Sequence, residues 1–256
     1  MEKYNGYLGL LKWSLAQSDG TSPTSIEPMT EDKKEFLDNA MKEALVSDAD
    51  KMKNLLKKLE DHSIDYKTKT VILEDLEEFG QSIDNSIDFN TIGGFKTLET
   101  LLKDYLENEN EEKQEMIKQI CSLIAVLSEN NPKIQNIIIK SSLFTELYTL
   151  KDTLIPELQT ASLSAISAII RGNKTCELYF IAQKGLLYLS NNLQSNNKRL
   201  VQKSIFLLTV LSSSHDLSAF LSSDHIYPSL KKLFNDKEYE SSHDFIQQLL
   251  KLTKRQ

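Results

Sequence analysis

The chain has 256 residues, of which 40% are hydrophobic and 26% charged, and its net charge is -7. This composition predicts a soluble globular protein. Glycine and proline together supply 13 residues, far below the roughly 12% of average usage, which disfavours turn-rich β folds and glycine-loop nucleotide folds. The acidic balance disfavours nucleic-acid binding, because such surfaces carry basic stripes. Two cysteines do not form a disulfide framework.

The first 29 residues fall into two segments. Residues 8–16 are a short apolar stretch with the single tryptophan, Trp13. Residues 17–29 contain one glycine, two prolines and several Ser and Thr residues, and predict a flexible linker. Lys12 interrupts the apolar stretch, so we expect no secretory signal, and no stretch is long enough for a membrane span. The expected compartment is the cytosol, with sharing between cytosol and nucleus left open.

From Thr30 onward, apolar residues recur at helical spacing. Thr30 is a candidate N-cap because two acidic residues follow it in the first helical turn. Two capping helices are expected within residues 30–61, and no later segment alternates as a strand does. The sequence therefore predicts an all-α domain over residues 30–256.

A repeat organises the rest of the chain. Four apolar helices end at positions 48, 43 and 41 residues apart, and each is followed 16 or 17 residues later by a second apolar ladder. The helix ends are Phe79, Leu127, Ile170 and Leu211, and the ladders begin at Phe95, Phe144, Leu186 and Tyr227. This period is that of armadillo and HEAT repeats. We therefore predict an armadillo-like right-handed helical solenoid of about four repeats over residues 66–235.

The ends and turns of the solenoid follow from the same pattern. A solenoid needs caps because a single unit cannot bury its apolar face, and residues 238–253 are predicted to form the C-terminal capping helix. Gly93-Gly94 and Gly185 lie where one helix must turn into the next, and a positive φ is expected there.

Residue patterns that would indicate catalysis are not found. None of the four histidines pairs with a cysteine or another histidine at zinc-ligand spacing. Ser214, His215 and Asp216 are contiguous, and adjacent side chains point in different directions, so they cannot form a catalytic triad. Cys121 and Cys176 are expected to be small buried side chains. We expect no enzyme activity, no metal and no cofactor.

The last helix of each repeat should line a concave groove. The predicted groove positions are mostly small residues: Glu77, Gly80, Cys121, Ala125, Ser128, Ala161, Ser164, Ala168, Arg171, Ile205, Thr209 and Ser212. Small side chains would let a folded partner approach closely. Repeats that grip extended basic peptides use asparagine and tryptophan ladders, which this groove lacks. Composition alone favours the simpler interpretation of Arg171, an exposed arginine that interacts favourably with a helix C-terminus.

Four stretches, in order and with similar gaps, resemble the armadillo-type nucleotide exchange factors of heat-shock protein 70 (Hsp70), the Fes-type and Hsp70-binding-protein family. They are Leu10-Leu11-Lys12-Trp13-Ser14-Leu15-Ala16; Glu27-Pro28-Met29-Thr30-Glu31 with Phe36-Leu37 and Ala40-Met41; Ile83-Asp84-Asn85-Ser86-Ile87-Asp88-Phe89; and Ala165-Ile166-Ser167-Ala168-Ile169-Ile170-Arg171.

The resemblance implies a co-chaperone that binds the ATPase domain of a cytosolic Hsp70 through its concave face, accelerates ADP release and promotes client release. It implies that Arg171 contacts the partner. It also implies that Leu10, Leu11, Trp13 and Leu15 form a mobile element that competes with client for the Hsp70 substrate-binding domain. The alternative for this segment is a helix packed on the first cap. A monomer without nucleic-acid or membrane partners is expected.

The sequence leaves two other functions open. The same exchange activity could operate on an Hsp70 of the endoplasmic reticulum, although the N-terminus lacks the pattern of a signal peptide. An armadillo scaffold or adaptor without exchange activity is the alternative from a different class, because a fold does not determine a function. The scaffold and the exchange factor differ in whether binding changes the ADP release rate.

Overall fold

The computed structural model describes residues 31–32 and 46–253. The chain divides into two compact units, Met1–Val46 and Ser47–Gln256. In the first unit, Glu31 and Asp32 are helical. The predicted linker and the expected boundary after residue 29 lie outside the described residues and stay predictions.

Residues 47–253 contain fourteen α-helices, three short 3₁₀-helices and no strand. The α-helices are α1 (Asp48–Glu60), α2 (Tyr66–Gly80), α3 (Ile83–Thr91), α4 (Gly94–Glu107), α5 (Gln114–Ser128), α6 (Pro132–Ile138), α7 (Ser142–Thr149), α8 (Pro156–Ile170), α9 (Lys174–Ala182), α10 (Gly185–Asn192), α11 (Lys198–Ser214), α12 (Ser218–Leu221), α13 (Ile226–Phe234) and α14 (His243–Leu252). The 3₁₀-helices are Glu111–Lys113, Leu150–Asp152 and Lys237–Ser242. The predicted all-α class is confirmed.

The helices recur in groups of three, and each group ends in its longest helix. The groups are α3–α5, α6–α8, α9–α11 and α12–α14. The long helices α2, α5, α8, α11 and α14 each pack against the next, and we call them the long-helix layer. The helix ends predicted from the apolar pattern agree with the observed ends of α2, α5, α8 and α11 to within three residues. The short helix that opens each group was not predicted individually.

Hydrogen bonds join residues one repeat apart. Gln119 Nε2 donates to Glu77 Oε2 over 2.6 Å, and these two residues are 42 positions apart. Asn197, the N-cap of α11, donates to the carbonyl of Pro156 at the start of α8, which is 41 positions earlier. Both hydrogen bonds join the long helices of neighbouring repeats, so neighbouring units are linked by side chains as well as by packing. The structure thus shows the repeat in its contacts as well as in its helix lengths.

The two predicted glycine turns use their glycines differently. Gly93 precedes α4 with φ of +89°, as expected. Before α10 the left-handed residue is Lys184, with φ of +63°, and not Gly185. A Cβ added to Gly185 would lie 2.4 Å from the Phe180 ring, and Gly94 packs on an aromatic ring in the same way. The prediction of a positive φ at Gly185 is wrong, because this glycine is needed for close helix packing.

The core follows the layer of long helices. Leu163, Ile166 and Ile170 of α8 are fully buried, as the apolar stripe predicts. Cys121 and Cys176 are buried free thiols, and burial raises the pKa of Cys121 to about 12 and the pKa of Cys176 to about 11. Both are therefore buried packing residues, as predicted. None of the described helices is long and apolar enough to cross a membrane.

Candidate partner-binding site

The surfaces of α5, α8 and α11 enclose an open pocket of about 250 Å³, which we call the long-helix pocket. It is lined by Ser122, Ala125, Val126, Glu129, Leu163, Ser164, Ser167, Ala168, Arg171, Lys203 and Phe206. Small residues predominate, and the pocket is smaller than the roughly 300–1,000 Å³ typical of small-molecule sites. This geometry favours contact with a protein surface over capture of a cofactor.

Arg171 lies at the rim of this pocket, immediately after α8. Its Nη2 donates to Glu129 Oε1 over 2.7 Å, and its Cζ lies 5.7 Å from the centroid of the Phe206 ring. Its backbone is also fixed, because its N–H donates to the Ser167 carbonyl and its own carbonyl accepts from Gln135 Nε2. The guanidinium is thus held at the pocket while the side chain remains 36% exposed.

The structure brings together four of the predicted partner-facing residues: Ala125, Ser164, Ala168 and Arg171. Glu77 lies elsewhere in the long-helix layer, where it joins α2 to α5 through Gln119.

Two further candidates, Thr209 and Ser212, are half-buried and outside the lining of this pocket. Their hydroxyls donate to the carbonyls of Ile205 and Thr209, so they are engaged with their own helix.

The prediction that Ser128 faces the groove is wrong. Ser128 is fully buried, and its hydroxyl donates to the Ile124 carbonyl over 2.7 Å. Cys121 and Ile205, predicted in the same stripe, are buried as well, and Gly80 packs against the Leu127 side chain. The reason is that α5 packs against both α2 and α8, and α11 against both α8 and α14. Because each of these helices has a neighbour on two sides, more of its surface is buried than the single predicted apolar stripe covers.

Seven of the eleven lining residues were not among the predicted groove positions: Ser122, Val126, Glu129, Leu163, Ser167, Lys203 and Phe206. In α11 the predicted stripe was displaced by one residue, since Ile205 is buried and Phe206 lies in the pocket. One signal was present in the sequence, because Lys203 is the single charged residue in the run from Leu200 to Leu211. A charged residue inside an apolar run indicates which face of the helix remains exposed to solvent when neighbouring helices pack on its two other sides.

The stretch at residues 83–89 has a structural role. Asn85 Nδ2 donates to the Phe79 carbonyl over 3.0 Å, and the Ser86 hydroxyl donates to the Gly80 carbonyl over 3.2 Å. These side chains satisfy carbonyls at the C-terminal end of α2 that have no partner within the helix. The N-terminal motif residues Leu10, Leu11, Trp13 and Leu15 lie outside the described residues.

A buried carboxylate and histidine form a pair that was not predicted. His215 Nε2 lies 2.9 Å from Glu177 Oε2, and their side chains are 12% and 3% exposed. Glu177 Oε1 accepts from the Gly172 N–H over 3.3 Å. The pair links α9 to His215, the C-cap residue of α11. Within the described residues, no group of three or more His, Cys, Asp or Glu residues could hold a metal ion.

The architecture is that of armadillo repeat proteins. A designed armadillo repeat protein superposes with a TM-score of 0.65 at 19% identity, covering 78% of this chain and 81% of the other. The crystal structure of computationally designed armadillo repeat proteins for modular peptide recognition gives a TM-score of 0.65 at 18% identity, over 79% and 82% of the two chains. The chain is therefore an armadillo-like α-solenoid.

Sequence comparisons show which armadillo-like proteins this chain is similar to. Residues 8–89 match the family described as "Nucleotide exchange factor Fes1". Hsp70-binding protein 1 of Rattus norvegicus and that of Mus musculus are each 26% identical over 221 residues, which cover 81% of this chain and 60% of theirs. The chain thus spans about 60% of the length of these curated relatives. The resemblance to Fes1-type exchange factors, predicted from the four stretches, is confirmed.

Proposed function

We propose that this chain is a nucleotide exchange factor for Hsp70, which binds the ATPase domain through the long-helix layer and accelerates ADP release. The observation that carries the proposal is the match of residues 8–89 to the Fes1 family. The relatives are named for binding Hsp70, and this supports Hsp70 as the partner. The proposed compartment is the cytosol, and the proposed active form is a monomer.

The long-helix pocket suits this role because small side chains line it. Ala125, Ser164 and Ala168 would let a folded domain approach the helix backbones closely. The chain would bind the open, nucleotide-poor state of the ATPase domain more tightly than the closed state. It could shift that equilibrium only by the difference between the two affinities. Such a mechanism requires shape and charge complementarity and no catalytic group.

A second element of the proposal concerns the N-terminal motif. Leu10, Leu11, Trp13 and Leu15 would engage the substrate-binding domain of Hsp70 and compete with client. This part rests on the family resemblance. It predicts that nucleotide exchange and client release are separable functions of different parts of the chain.

The decisive experiment is stopped-flow release of a fluorescent ADP analogue from a cytosolic Hsp70, with and without this chain. A large, saturable increase in the release rate is the expected result. Binding without acceleration would identify a scaffold or adaptor, and neither binding nor acceleration would overturn the proposed partner. A parallel measurement with an Hsp70 of the endoplasmic reticulum tests the proposed compartment. ADP release from the cytosolic Hsp70 should be accelerated more than ADP release from the Hsp70 of the endoplasmic reticulum.

A further inference from the structure

The long-helix pocket has an uneven charge distribution. Its lining includes two cationic residues, Arg171 and Lys203, and one acidic residue, Glu129. Glu129 is bonded to Arg171, so the acid compensates the charge of Arg171. Arg199 lies one helical turn before Lys203 on α11 and adds a third positive charge nearby.

Lys203 is the uncompensated charge of this surface. Among the described residues it has no ion-pair partner within 4 Å. The side chain of Lys203 is exposed. The adjacent protein surface desolvates its ammonium enough to lower the pKa of Lys203, and repulsion from Arg199 lowers this pKa further. Lys203 and Arg199 are like charges one helical turn apart, and an incoming carboxylate would offset the repulsion between them.

We propose that the long-helix pocket receives an acidic side chain of the partner, with Lys203 as its principal contact and Arg171 as the second. This inference rests on the proposed function, so the partner surface is an acidic patch on the Hsp70 ATPase domain. On binding, the partner carboxylate competes with Glu129 for the Arg171 guanidinium. Glu129 therefore holds Arg171 in position in the free protein and opposes binding.

The shape of the pocket fits an Asp or Glu side chain on a protein. The volume of about 250 Å³ is below the roughly 300–1,000 Å³ of typical small-molecule sites. The ring of Phe206 and the methyl groups of Ala125 and Ala168 can pack against the methylene groups of an acidic side chain. A nucleic acid is disfavoured because the chain carries a net charge of -7 and nucleic-acid surfaces need an extended basic stripe.

The test compares variants that should move affinity in opposite directions. Lys203→Glu should weaken binding to the isolated Hsp70 ATPase domain by roughly tenfold or more, because a contact charge becomes repulsive. Glu129→Gln should tighten it by about threefold, because it removes the competing carboxylate. A gain in affinity cannot result from misfolding. Lys96→Glu makes the same charge change on α4, away from the pocket, and is the matched control. Titration calorimetry at low and moderate salt measures all three.

The outcomes separate the two proposals. The acidic-contact inference would be overturned if Lys203→Glu bound with an affinity within about twofold of wild type. It would also be overturned if Lys96→Glu weakened binding as much as Lys203→Glu does. Either result would leave the proposed exchange function standing. Weaker binding by Glu129→Gln would overturn the competing role of Glu129. Failure of the wild-type chain to bind the ATPase domain would overturn the proposed function and this inference together.

Discussion

Arg171 and Glu129 are equivalent residues of successive repeats, 42 positions apart, and a 2.7 Å ion pair joins them. Each is the C-cap of its long helix. Their side chains are 36% and 55% exposed, and ion pairs this exposed contribute about 0–1 kcal/mol to stability. The pair therefore orients the guanidinium at the pocket more than it stabilises the fold, and substitutions here report on binding.

Replacing Arg171 with Glu should weaken binding to the Hsp70 ATPase domain by roughly tenfold or more. The helical content measured by circular dichroism should not change, because the side chain is outside the core. The double variant Arg171→Glu with Glu129→Arg restores opposite charges but exchanges their positions. It should regain any lost stability and still bind weakly. Normal binding by folded Arg171→Glu protein would contradict the assignment of this surface.

Gly185→Ala should destabilise the solenoid by about 1–3 kcal/mol, the usual range for overpacking a core. The new methyl group would lie 2.4 Å from the Phe180 ring. Gly93→Ala is the comparison, because no atom lies within 4 Å of its added Cβ and only the positive φ opposes it. Urea denaturation measures both. If Phe180→Leu does not reduce the cost of Gly185→Ala, the steric explanation is incorrect.

The sequence predicted the helix ends well because burial along one helix is a local, periodic property. Leu163, Ile166 and Ile170 recur at helical spacing and are all fully buried. The same reasoning failed at Ser128, whose burial depends on the two helices that flank α5. Local periodicity cannot show how many neighbours a helix has.

The pocket was only partly predictable for a related reason. Ala168 and Arg171 belong to one helix and its cap, and their common face follows from helical spacing. Glu129 and Phe206 come from the adjacent repeats. Their positions depend on how neighbouring repeats stack on each other, and the sequence pattern of a single helix does not show this. The Glu177–His215 pair joins the first and last helices of one group, α9 and the C-cap of α11. It was missed because helical spacing does not show which distant helices pack together.

Deleting residues 1–20 should preserve acceleration of ADP release and weaken client release. The physical reason is that the proposed ATPase-domain contacts lie in the long-helix layer, whereas the apolar motif with Trp13 would act on the substrate-binding domain. The measurements are fluorescent ADP release and release of a labelled peptide from Hsp70 with the same preparation. Replacing Leu10, Leu11, Trp13 and Leu15 with Ser in the full chain is the matched control. Unchanged client release in both variants would remove the proposed role of the motif.

Glu177→Ala should destabilise the domain by about 1–3 kcal/mol, because it leaves the His215 ring and the Gly172 N–H without their buried acceptor. Glu177→Gln keeps a hydrogen-bond acceptor at this position and should destabilise the domain less than Glu177→Ala. Glu112→Ala removes an exposed carboxylate and should change stability by less than about 0.5 kcal/mol. Urea midpoints at pH 7 compare the three variants. Equal effects of Glu177→Ala and Glu112→Ala would show that the buried pair contributes nothing.

Lys113 should make the stability of the domain depend on alkaline pH. Its ammonium lies 2.8 Å from Asp104 Oδ2, and its side chain is 7% exposed. The hydrogen bond to Asp104 raises the pKa of Lys113, and this outweighs the opposing effect of burial. A lysine whose folded-state pKa is raised stabilises the fold fully below its unfolded pKa of about 10.4. That contribution is lost as the pH rises through the folded-state pKa.

The wild-type chain should consequently lose more stability than Lys113→Met between roughly pH 9 and pH 12. At pH 8 the variant should be less stable by about 1–2 kcal/mol, since the bond to Asp104 is missing. Buried tyrosines such as Tyr188 also respond to alkaline pH, but they are present in both proteins and cancel in the difference. Guanidinium denaturation at several pH values gives that difference directly. Parallel stability curves for the two proteins would show that the Lys113 charge does not stabilise the fold.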